Sequence, residues 1–95
     1  MDIKEFQSLM RVLYYEKDKK RGVDKTFLWL LEEIGELSQA LRKGDAQSIE
    51  NELADVIAWT TSLANLLNID LEDSLSRKYP GVCNYCRQAP CQCEK

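Results

Sequence analysis

Two long stretches of apolar residues at helical spacing meet at a single glycine, and that junction limits the fold more than any other feature. The first stretch runs from about Asp24 to Lys43, the second from Asp45 to about Leu67. Gly44 stops the first, because glycine takes the left-handed position after a helix without a steric penalty. Asp45 is placed to cap the second. A connection this short makes the pair an antiparallel hairpin. Another helix precedes it from about Asp2 to Lys17, with Ile3, Phe6, Leu9, Met10, Leu13 and Tyr14 in phase. The charged segment Lys17–Asp24 (KDKKRGVD) reads as a solvated connection, with Asp24 capping the second helix. Asn68 and Asp70 close the third helix and open a short fourth, which Pro80 stops after about Tyr79. The fold class is all-α.

At 95 residues the chain makes one domain with a marginal core, which oligomerisation or a metal staple would reinforce. Apolar residues on more than one face of the second and third helices point to a homodimer or homotetramer. Apolar runs are broken by charges well before membrane-spanning length, and MDIKEF does not read as a signal peptide. A cytoplasmic protein is expected, with no membrane partner. The net charge of −3 disfavours nonspecific nucleic-acid binding. There is no histidine, so chemistry here falls to carboxylates, lysines, cysteines or a metal.

Carboxylates sit where a helix of this kind carries core residues. Ile49, Val56, Trp59, Leu63, Leu66 and Leu67 share one arc of the third helix, and Glu52 and Asp55 fall inside it. On the second helix Phe27, Leu30, Leu31, Ile34, Leu37 and Leu41 make the main apolar face. Glu32, Glu33 and Glu36 project together beside it, with Trp29 and Ala40. Glu36 lies eight residues before Gly44 and Glu52 eight after it, so the hairpin brings the two acidic sets to one level. Converging carboxylates repel unless some are protonated or a cation joins them. An all-oxygen donor set suits Mg²⁺ or Mn²⁺. The alternative is a solvated acidic face.

Four cysteines crowd the carboxyl terminus: Cys83, Cys86, Cys91 and Cys93, spaced C-x2-C-x4-C-x-C. Four thiolates on a short Gly/Pro-containing segment can close a tetrahedral shell around one structural Zn²⁺. Two disulfides are the alternative, suited to a secreted chain. An iron–sulfur cluster fits less well, because the longer separations of ferredoxin patterns are missing.

The run Glu32-Glu33-Ile34-Gly35-Glu36, followed by Glu52-Leu53-Ala54-Asp55, resembles the E-E-x-x-E then E-x-x-D pattern of the MazG-like all-α nucleoside triphosphate pyrophosphohydrolases. The resemblance covers about residues 1–80, leaving 81–95 as a cysteine-rich zinc-binding tail. It implies a helical hairpin domain that oligomerises into a four-helix-bundle-type core. It also implies Mg²⁺-dependent hydrolysis of (deoxy)nucleoside triphosphates to the monophosphate and pyrophosphate, in nucleotide-pool house-cleaning. Glu33, Glu36, Glu52 and Asp55 would be the Mg²⁺ ligands. Glu32 would be a second-metal ligand, a supporting group or the base that orients water, with Glu33 as its catalytic neighbour. Trp59 matches a position where an aromatic meets the nucleotide, and Lys78 a phosphate-binding lysine. Many relatives place an asparagine and an arginine between that lysine and a Tyr-Pro, whereas Tyr79-Pro80 follows Lys78 directly here. The basic residues Lys17, Lys19, Lys20, Arg21 and Lys25 could draw in the triphosphate, or simply solvate a loop. A rival reading is a noncatalytic helical adaptor whose zinc tail binds a protein or nucleic acid.

Overall fold

The computed structural model describes residues 1–94; Lys95, the last residue of the expected tail, lies outside them. It contains the helices α1 (Ile3–Arg21), α2 (Val23–Lys43), α3 (Ala46–Leu66) and α4 (Leu71–Lys78), and no strand among the described residues. None of these helices is long and apolar enough to cross a membrane.

α1 starts on a capping box. The Asp2 carboxylate accepts from the Glu5 N–H at 2.7 Å, and the Glu5 carboxylate accepts from the Asp2 N–H at 3.0 Å. The helix does not end at Lys17. It continues through Asp18, Lys19, Lys20 and Arg21, so most of the expected loop is helical. Lysine and arginine are good helix formers, and three cations in the last turn suit the negative end of the helix dipole. The break is one residue, Gly22, at φ 88° and ψ 167°. α2 begins immediately afterwards. Gly22 holds the N-cap position, and Asp24 lies in the first turn instead of capping it.

Gly44 closes α2 in the left-handed conformation, φ 72° and ψ 21°, its N–H donating to the Ala40 carbonyl at 3.0 Å. Asp45 takes the N-cap position of α3, where its carboxylate accepts the Ser48 hydroxyl at 2.6 Å. α3 is the central helix, packed on α2 and on α1. α4 lies against α1, its first turn capped by the Asp70 carboxylate on the Asp73 N–H.

The face α2 turns inward is not the one its apolar periodicity favours. Thr26, Leu30 and Ala40 are buried, with Leu37 and Glu33 partly so. Phe27, Leu31, Ile34 and Leu41 remain 45–59% exposed on one outer stripe. α3 likewise buries a small, polar face, Thr61, Ser62, Ala64 and Asn65, because those side chains let α1 approach closely. Asn65 and Gln7 exchange bonds there: Gln7 Nε2 donates to Asn65 Oδ1 at 3.0 Å and Asn65 Nδ2 to the Gln7 carbonyl at 3.2 Å. Gln7 also receives the Leu71 N–H at 3.0 Å, which fastens α1 to the turn before α4. Pairing of this kind offsets the cost of taking the amides out of water.

Candidate functional site

The hairpin sets Glu33 and Glu36 of α2 against Glu52 of α3. One carboxylate oxygen from each lies within 4.8 Å of the other two. Glu33 Oε2 and Glu52 Oε2 are sealed from water and have no hydrogen-bond donor. The ion pairs among the described residues are Lys19–Glu16, Arg21–Asp18 and Arg77–Asp73, and none reaches this cluster. Burial is the largest cause of the rise of the Glu33 pKa to about 7. The adjoining Glu52 carboxyl and the charges of Glu36 and Asp55 raise it further. Two orphaned carboxylate oxygens in an all-oxygen set are the donors a hard divalent cation takes, so the residues fit one.

Asp55 stands one turn along α3 from Glu52. It is exposed, adds its charge to that field, and lies outside the group of three. It lines a hollow of about 230 Å³ with Tyr14, Lys17, Asp18, Arg21 and Trp59. Trp59 forms the aromatic wall. The Trp29 ring lies 6.0 Å away at an interplanar angle of 17°, and the Arg21 guanidinium sits 4.8 Å over the Trp59 ring. Glu32 is exposed and does not join the three carboxylates. Lys78 is exposed at the end of α4, with its ammonium 5.8 Å from the neighbouring Tyr79 ring.

Asp18 is the residue that sequence reasoning missed. It is 2% exposed; its Oδ1 accepts from Arg21 at 2.6 Å, while its Oδ2 has no donor. The signal for it was weak, one acid inside the run Lys17-Asp-Lys-Lys-Arg. Once α1 extends to Arg21, Lys17 and Arg21 come to stand on the wall of the hollow beside Asp55. All five cations read as a possible loop are therefore helical, and two of them, Lys17 and Arg21, line the hollow.

The four thiols form a second cluster. The Sγ atoms of Cys83, Cys86, Cys91 and Cys93 all lie within 4.8 Å of one another, and the cysteines are free. The Gln92 N–H, donating to Cys86 Sγ, is the first cause that lowers the Cys86 thiol to about pH 6.

Comparison with known proteins matches residues 21–86 to the family model described as the MazG nucleotide pyrophosphohydrolase domain. No curated protein matches the chain.

Proposed function

Because the chain belongs to the MazG nucleotide pyrophosphohydrolase domain family, we propose that it hydrolyses (deoxy)nucleoside triphosphates to the monophosphate and pyrophosphate, with Mg²⁺ or Mn²⁺. The observation that carries this reading is the convergence of Glu33, Glu36 and Glu52, two of them with buried oxygens that lack a donor. These three, joined by Asp55, would hold the cation. Bound there, it supplies neutralisation of phosphate charge and an acidified water.

The chain's own residues do the rest. Trp59, already stacked on Trp29, offers the nucleobase a rigid face. Lys17 and Arg21, beside Asp55, put positive charge where the phosphates run. Lys78, at the end of α4, does not line this hollow, and its role as a phosphate-binding lysine rests on the family pattern alone. Glu32 is not taken up by the three-carboxylate cluster and stays free to accept the proton of the attacking water, with Glu33 as its neighbour. Water's oxygen bonds to the α-phosphorus, the bridge to the β-phosphate breaks, and pyrophosphate leaves. Residues 1–80 carry this chemistry, and the cysteine-bearing segment after them takes no part in it.

The protein works as a homodimer or homotetramer in the cytoplasm, serving nucleotide-pool house-cleaning. The outer stripe of Phe27, Leu31, Ile34 and Leu41 supports the assembly, since apolar stripes of this size favour a covering partner. A panel of ribo- and deoxyribonucleoside triphosphates with Mg²⁺ tests the reaction. Equal amounts of monophosphate and pyrophosphate, abolished by EDTA, are expected. Release of orthophosphate and a diphosphate, or no turnover with either metal, overturns it; inertness would favour the adaptor reading.

A further inference from the structure

We propose that Cys83, Cys86, Cys91 and Cys93 are a preformed tetrathiolate zinc site that knots the carboxyl-terminal segment onto the end of α4. The site is independent of the hydrolytic chemistry and is set by the geometry of the sulfur atoms and of the backbone around them.

Zinc–sulfur bonds of about 2.3 Å in a tetrahedron set the sulfurs about 3.8 Å apart. Cys83 Sγ and Cys93 Sγ are 3.9 Å apart, as are Cys86 Sγ and Cys91 Sγ. All four sulfurs share one 4.8 Å neighbourhood, so they surround a single point instead of forming two unrelated pairs. The backbone also directs N–H donors at three of the four sulfurs. The N–H of Tyr85 donates to Cys83 Sγ at 3.4 Å, that of Gln92 to Cys86 Sγ at 3.3 Å and that of Cys93 to Cys91 Sγ at 3.3 Å. Such N–H donors disperse the charge of metal-bound thiolates, the role of outer contacts at metal sites.

The turn that brings Cys83 and Cys86 together is itself built for the purpose. The Arg87 N–H donates to the Cys83 carbonyl at 2.9 Å, and the Cys83 N–H to the Gln88 carbonyl at 3.0 Å. To close that turn Arg87 adopts φ 62°, a left-handed conformation that an arginine does not prefer. The segment from 80 to 94 holds no helix or strand, so it depends on a cross-link such as a metal shell to fix its shape. Tyr79, the C-cap of α4, lines a shallow hollow with Cys83 and Cys91, which places the knot directly against the helix end. Four thiolates complete a tetrahedral shell and leave no open position, so the ion organises structure and does not activate water.

Elemental analysis of protein purified under reducing conditions should find one zinc per chain. Replacement by Co²⁺ should give the intense visible bands of tetrahedral thiolate coordination. The double variant Cys86→Ser with Cys91→Ser should lose at least about nine-tenths of the metal. Arg87→Gly should bind zinc at least as tightly as wild type, because glycine adopts the left-handed turn freely. Chelation should speed proteolysis within 80–94 and leave the circular dichroism of α1–α4 unchanged. Any of three results overturns the assignment: two disulfides and no zinc uptake by the reduced protein, iron in place of zinc, or zinc retained by the double variant. Because each readout is independent of nucleotide turnover, an inactive enzyme would leave this test intact.

Discussion

Glu33 carries opposing demands: burial and three neighbouring carboxylates favour its neutral form, whereas a bound cation needs it ionised. Its pKa stands at about 7 in the fold against 4.5 as its ordinary value. A carboxyl raised on folding contributes stability below its unfolded value and loses that contribution as pH climbs through the folded one. The metal-free protein should therefore melt highest near about pH 5 and less well toward about pH 8. Glu33→Gln should flatten the slope, and Mg²⁺ should oppose it by drawing the ionised form. Thermal melts of both proteins over this range, with and without Mg²⁺, provide the check; identical slopes for wild type and Glu33→Gln would remove Glu33 from the account. Neutralising a ligand without changing its shape isolates the chemistry from the fold. Glu36→Gln and Asp55→Asn should each lower kcat by about 100-fold or more while far-ultraviolet circular dichroism stays the same. Turnover at the wild-type rate in both variants would refute the ligand set.

The helices are set by their ends as much as by their faces. Gly22 is the one residue between α1 and α2, and its φ 88° with ψ 167° lies in a region other residues avoid. No heavy atom lies within 4 Å of where a Cβ would sit, so the penalty for alanine there is one of backbone conformation and not of collision. Gly22→Ala should cost about 1–3 kcal/mol and lower Tm by roughly 5 °C or more. A melt equal to wild type would mean the chain can turn at this point by another route. The same glycine also decides the site. By letting α1 run on to Arg21 before the helix breaks, it carries Lys17, Asp18 and Arg21 onto the wall that Asp55 and Trp59 share.

For the whole molecule the decisive quantity is how little apolar surface one chain hides. Among the described residues the buried apolar ones are Met10, Leu30, Ala40 and Ala64, a small core for helices of this length. Phe27, Leu31, Ile34 and Leu41 recur at helical spacing along the outside of α2, where coverage by a second copy would bury them. Light scattering should accordingly give twice 11.0 kDa or more at micromolar concentration. The double variant Leu31→Lys with Ile34→Lys should shift the protein toward the single chain and lower its Tm. A monodisperse 11.0 kDa wild-type species would sink the assembly.

Much of this architecture was legible in the order of residues because its causes are local. Helical spacing marked the first three helices, Asp70 and Pro80 marked the fourth, Gly44 marked the hairpin, and equal distances from that glycine put Glu36 and Glu52 at one level. The four cysteines were likewise a matter of spacing. What periodicity could not state was which way each helix turns. Periodicity on α2 favours the stripe of Phe27, Leu31, Ile34 and Leu41, yet contact with α3 turns Thr26, Leu30, Glu33, Leu37 and Ala40 inward. Thr61, Ser62 and Asn65 lie outside the apolar arc of the third helix, yet they are buried because close approach by α1 needs small side chains and Gln7 pairs with Asn65. Asp18 and Arg21 stood in a charged run with no apolar phase, so their place beside Trp59 followed only from where α1 stops and how it packs. Helix identity is written in neighbours a few residues apart along the chain; helix rotation is a choice among long-range contacts, and the folded chain alone makes it.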